Sequence, residues 1–221
     1  MSWPSSEDIR RLVKKSSGQF IFASTVAKYV NSYRHWPPDR LKIIFEQSKP
    51  CEDSDTPFSE LDELYRFILS SATDIDKVKD ILMIIVLRPF LPYRLMTNLV
   101  ERFLFYRPGE VNMILSELHS IISVRDLHFF HASLPDFLLD RSRSMNLFLD
   151  QGIAYAKFTS LAVKHINNPT ESPLGNDQCT SSPSCYDFVD SMKMKTMFIA
   201  YFGFVVSRLI HPQSSLRTCA G

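Results

Sequence analysis

Three histidines fall close together in this chain, His119, His128 and His131, and the last is followed by Ser133 and Asp136. Clustered imidazoles suggest a metal site, and a serine beside a histidine suggests nucleophilic hydrolysis. Neither pattern is completed. His128 and His131 are three apart on a predicted strand and so point to opposite faces, and no cysteine or carboxylate completes a ligand set. His131 and Ser133 lack both a G-x-S-x-G elbow and a third triad member. No catalytic residue and no metal ligand is assigned. Glu60, Asp62 and Glu63, like Asp74 and Asp76, sit at predicted helix starts, where solvated capping is expected rather than paired-carboxylate catalysis. Alone, His131 reads most simply as a strand-end cap or a local partner of Asp136. Cys51, Cys179, Cys185 and Cys219 are scattered without CxxC spacing, as free thiols in a reducing compartment would be.

Phosphate chemistry is bounded by glycine, which supplies positive φ and close backbone approach. The 221 residues include 6 glycines and 13 prolines, and no glycine sits in GxxxxGK[ST] or GxGxxG. There is therefore no P-loop, no dinucleotide fingerprint and no cofactor expected for this chain. Lys+Arg total 25 against 24 Asp+Glu, a net charge of +1. The balance is local: ten of each sign lie in 1–72, nine of each in 73–149, and six against five in 150–221. No basic face draws the chain to nucleic acid or anionic lipid. The first 20 residues are polar and charged, so no signal peptide is expected. The longest apolar run, 197–206, is about half of what a membrane helix needs. A soluble, cytoplasmic protein with no membrane partner is expected.

These residues are positioned by a predicted series of helices. Ser5, Ser6, Glu7 and Asp8 start a helix with an Ile9–Leu12–Val13 stripe, which Gly18 can end. A second places Phe20, Ala23, Ala27 and Val30 at helical spacing, and a third opens at Pro38–Asp39 and carries Leu41, Ile44 and Phe45. After a polar loop over 48–57, the clearest amphipathic pattern has Phe58, Leu61, Leu64, Tyr65, Ile68 and Leu69 on one face. A largely buried helix follows from Asp74 and stops at Pro89 and Pro92. Then come a helix over 95–104, a turn at 107–109, and a helix bearing Val111, Ile114, Leu115 and Leu118. A tight hairpin turns at Arg125–Asp126. Helix resumes over 134–139, residues 141–144 form a basic connector, and another helix spans 152–166. Residues 167–185 form a Pro/Ser-rich loop before a last helix over 186–210.

The expected fold is mainly α. A helical domain over 1–72 is followed by a winged-helix domain over 73–149 with one short β-hairpin, and 150–221 begins a further helical domain. A winged helix raises DNA binding as the alternative function. Its candidate recognition helix, EVNMILSELHS, contains Glu110 and Glu117 and no cation, and Arg141 and Arg143 are a small phosphate footprint. Nucleic acid is not the expected partner.

Two segments carry a resemblance. SSGQFIFASTVAKYV resembles the stretch that follows the nucleotide-binding core in fungal NACHT-domain proteins, members of the STAND class of signal-transducing NTPases. FFHASLPDFLLDRSRS resembles the segment that ends their winged helix. Between them FSELDELYRFILSSA, KVKDIL, PFLP, RPGEV and LSELHSIIS recur in the same order, so the resemblance covers roughly 1–166. It implies a non-catalytic regulatory and interaction fragment whose partner is a P-loop nucleotide-binding domain of the same or a related chain, lying before Met1. Association between copies is a further expectation. ADP or ATP would enter only with that domain. The resemblance also implies one site residue: His131 matches the winged-helix histidine that contacts the β-phosphate of ADP and holds the closed state. Relatives that touch adenine through a proline after the helical domain's glycine differ here, because Gly18 is followed by Gln19 and Phe20.

Overall fold

Leu61, Leu64, Tyr65, Ile68 and Leu69 are all buried on one face of the helix Ser59–Ser70, as their spacing predicts. The computed structural model describes residues 3–32, 34–47, 58–87 and 96–167. The expected loop at 48–57, the prolines at 89 and 92, everything after Asn167 and all four cysteines lie outside the described residues. The protein is mainly α, with ten α-helices and one two-stranded antiparallel hairpin among the described residues. None of the described helices is long and apolar enough to cross a membrane.

In chain order the helices are α1 (Ser6–Lys15), α2 (Phe20–Val30), α3 (Pro37–Gln47), α4 (Ser59–Ser70), α5 (Ile75–Leu87), α6 (Thr97–Leu104) and α7 (Glu110–Ile114). After strands β1 (Ile122–Ser123) and β2 (His128–Phe129) come α8 (Ser133–Leu139), α9 (Arg141–Ser144) and α10 (Gln151–Asn167). Contacts group the chain into two units. One joins Met1–Lys79 with Asn112–Leu149, and the other joins Asp80–Val111 with the chain from Asp150 onward. The stretch 73–149, expected as one winged-helix domain, is shared between them.

In the first unit α4 packs against α2, α9 and the 3₁₀ turn Leu115–Leu118, and α2 packs on α3. Its core holds Phe22, Val26, Tyr65, Leu118 and Phe137, with Tyr65 against Phe137 at 5.5 Å between centroids and Tyr29 edge-on to Phe67 at 5.7 Å. Ser5 caps α1: its hydroxyl accepts the Asp8 N–H while Asp8 accepts the Ser5 N–H, each at 3.1 Å. Lys77 N–H donates to Asp74 at the start of α5. Gly18, at φ +77°, follows the end of α1 in the left-handed region that glycine tolerates.

The buried face of α2 is Phe22, Thr25, Val26, Tyr29 and Val30, which corrects the expected stripe, and Phe20 is exposed. Apolar residues on several sides of this segment give its periodicity more than one solution. The expected helix over Val111–Leu118 ends at Ile114 and tightens into the 3₁₀ turn, which buries Leu115 and Leu118. The hairpin is wider than expected. Ile122 pairs with Phe129 and Ser123 with His128, leaving a loop over 124–127 with Leu127 buried at φ +41°. Residues 141–144 form α9 rather than a connector, because Asp140 accepts the Ser142 and Arg143 N–H groups at its start.

In the second unit α10 packs on α6, with Phe103 edge-on to Phe158 at 5.5 Å. Phe105 ends α6 in the left-handed conformation, and its ring stacks on His165 with centroids 4.0 Å apart. Glu101 is buried and accepts the Val111 N–H at 3.1 Å.

Candidate functional site

The strand holding His128 ends at Phe129, so His131 lies past it and the two histidines do not share a strand. Phe130 N–H still donates to Ile121 O at 3.1 Å, after which the chain turns into α8. At that turn the exposed His131 ring meets the first residue of the helix. Ser133 N–H points at His131 Nδ1 from 3.0 Å, and Ser133 Oγ lies 2.9 Å from the same nitrogen. A backbone amide can only donate, so Nδ1 is the acceptor and the neutral ring carries its proton on Nε2. Nε2 has no hydrogen-bond partner among the described residues. His131 is therefore a helix cap bound to Ser133, not a partner of Asp136, with an outward N–H donor on its other edge.

Behind it Ser133 Oγ bonds Tyr65 Oη at 2.8 Å. With Oγ donating to Nδ1, the phenol donates to Oγ, forming a line from the core to the surface. Tyr65 is buried, which pushes its phenol pKa above the ordinary value, and the Ser133 bond acts in the opposite sense. One residue before His131, the Phe130 ring carries Lys28 Nζ 3.5 Å from its centroid. The site thus presents an imidazole N–H donor fixed by Ser133, of a kind suited to an anionic oxygen.

The Ser133–His131 contact has the reach of a nucleophile–base pair, but its chemistry is that of a cap. Ser133's own amide competes for Nδ1, and no described carboxylate accepts from Nε2, as a triad requires. His119 turns elsewhere, its Nδ1 3.2 Å from Ser116 O. The described residues hold no group of three or more His, Cys, Asp or Glu placed to bind a metal.

Two ionic clusters escaped the sequence reading. Asp62, expected to be solvated, is buried and accepts two hydrogen bonds from Arg143, at 2.9 and 2.7 Å. That bond holds Arg143's pKa above its ordinary value. It also engages one of the two cations offered to a DNA phosphate, while Arg141 lies over the Phe148 ring. Glu117, on the supposed recognition helix, accepts from Arg34 and Arg40, both at 3.2 Å. Arg40 is buried and also donates to Tyr29 O at 3.1 Å and His35 Nδ1 at 2.7 Å. Tyr65 was legible only as a core position, since its hydroxyl partner lies 68 residues away. Compared with protein-family models, curated proteins and solved structures, the chain matches none.

Proposed function

We propose that this chain is a non-catalytic regulatory and interaction module of the kind that accompanies the P-loop domain in fungal NACHT-type NTPases. Its partner is a P-loop nucleotide-binding domain of the same or a related chain. The supporting observation is His131, the residue the resemblance singles out, whose Nδ1 is taken by Ser133 and whose Nε2–H faces outward. An N–H fixed in this way bonds a phosphate oxygen only while the partner is docked, so ADP would favour the docked arrangement through a contact specific to it. The chain holds no motif that cradles a triphosphate or positions magnesium, so it does not hydrolyse ATP by itself.

Calorimetry tests this directly. The chain alone gives no binding heat with micromolar ATP or ADP. Mixed with a separately expressed P-loop domain from a fungal NACHT protein, it forms a complex that ADP tightens. His131→Ala weakens that complex about tenfold or more, the worth of one hydrogen bond to a charged group. Tight ADP binding by the chain alone, or a complex indifferent to His131, overturns the reading.

A further inference from the structure

Glu60, Glu63, Leu64, Phe67 and Ser70 recur along α4 at steps of three and four residues and so line one side of it. That side borders a cavity of about 310 Å³ within the first unit. Much of its wall is apolar: Phe22 from α2, Ile44 from α3 and Leu147 are buried there with Leu64. Ser70 and Asn146 are exposed and lie at its open edge. At about 30 Å³ for each water-sized group, such a space holds about ten non-hydrogen atoms, the size of a small organic ligand.

The polar groups in the wall select the ligand's charge. Glu60 and Glu63, expected as solvated caps, are half-buried. Glu60 Oε2 is shielded from water and accepts no hydrogen bond, and neither carboxylate forms an ion pair among the described residues. A carboxylate oxygen hidden from water without a donor is unfavourable, and an N–H brought by a ligand would satisfy it. The nearby cations do not. Arg66, in the same wall, donates from Nη1 to Arg143 O at 2.7 Å. Burial lowers the pKa of Lys15 at the end of α1 and the charges of Glu60 and Glu63 oppose that shift, yet Lys15 bonds neither carboxylate. The rings of Phe22 and Phe67 also favour a cation. An anion would meet two carboxylates, and a neutral apolar molecule would leave Oε2 unsatisfied.

We propose that this cavity binds a small organic amine, its ammonium held by Glu60 and Glu63 and its apolar body against Phe22, Leu64 and Leu147. The inference goes beyond the switch reading and requires neither His131 nor nucleotide. Phenethylamine, an ammonium on a short aromatic body, is a probe of that size. Titrated into the full chain by calorimetry, it should bind at least about tenfold more tightly than neutral phenethyl alcohol, and phenylacetate should give no heat. Glu60→Gln should weaken phenethylamine about tenfold without lowering the melting temperature, since the Glu60 carboxylate bonds nothing within the fold. Asn146→Lys sets a competing cation at the open edge and keeps the backbone bond from Lys79, so it should weaken the amine as well. A lysine side chain presents the same ammonium. A short lysine peptide is therefore titrated beside the free amine, and the tighter of the two names the source.

No binding of either cation overturns the proposal. So does phenethyl alcohol binding as tightly as the amine, or amine binding indifferent to both Glu60→Gln and Asn146→Lys. The ADP experiment reads His131 alone, so either reading can fail without the other.

Discussion

Asp62 and Arg143 stand 81 residues apart in sequence and meet through two hydrogen bonds, joining α4 to α9. Removing one member of a fully buried pair costs about 3–5 kcal/mol, and Arg143 remains partly open to water. Asp62→Ala should therefore cost about 1–3 kcal/mol, read as a lower urea midpoint at unchanged slope. The sequence held a signal for this that capping logic hid. On a helical wheel Asp62 falls beside Phe58, Tyr65 and Leu69, within the buried sector rather than opposite it. Its partner, in a short basic stretch, carried no mark of its own. The Tyr65–Ser133–His131 line predicts a ranking of two substitutions. Tyr65→Phe deletes a buried donor and should cost about 1 kcal/mol, whereas His131→Ala removes an exposed cap and should cost less. The reverse order in denaturant melts would give His131 a structural role and weaken its assignment to phosphate.

At the scale of elements, helices were legible where one solution to the periodicity existed. α4 has a single apolar face and buries it, and α1 starts at the capping pattern written in Ser5 and Asp8. α2 is apolar on more than one side, and packing, not spacing, chose Phe22 over Phe20. α10 shows what a helix end can do to titration. His165 lies against Phe103 and Phe105 and bonds Phe103 O at 3.0 Å, and burial lowers its pKa below the ordinary 6.5. The unfolded chain then binds more protons than the folded one between the lowered and the ordinary value. Stability is present above the ordinary value and declines as pH falls through it towards the lowered one. The melting temperature of the full chain should drop between neutral pH and mildly acidic pH. His165→Phe, which keeps an aromatic ring against Phe105 but cannot titrate, should make that drop smaller. An equal drop in the variant would place the titrating group elsewhere.

For the whole molecule, order along the chain and grouping in space carry different information. Periodicity reports which face of a helix is apolar, not which other helix that face meets. The association of Asn112–Leu149 with Met1–Lys79 therefore had no counterpart in the linear pattern. Charge was legible at this scale, because a net charge of +1 with local balance is a property of the sum. Nucleic-acid affinity depends on that sum: each phosphate neutralised by a cation releases counterions, so binding falls steeply with salt. Here Glu117 draws Arg34 and Arg40 to the supposed recognition segment and spends their charge within the protein, and Asp62 does the same to Arg143. Fluorescence anisotropy with a labelled duplex should accordingly show no binding at low salt and no change as salt is raised. Binding that falls at least tenfold between low and physiological salt would show an uncompensated basic surface. It would also reinstate the DNA reading, with Arg141 the first residue to replace.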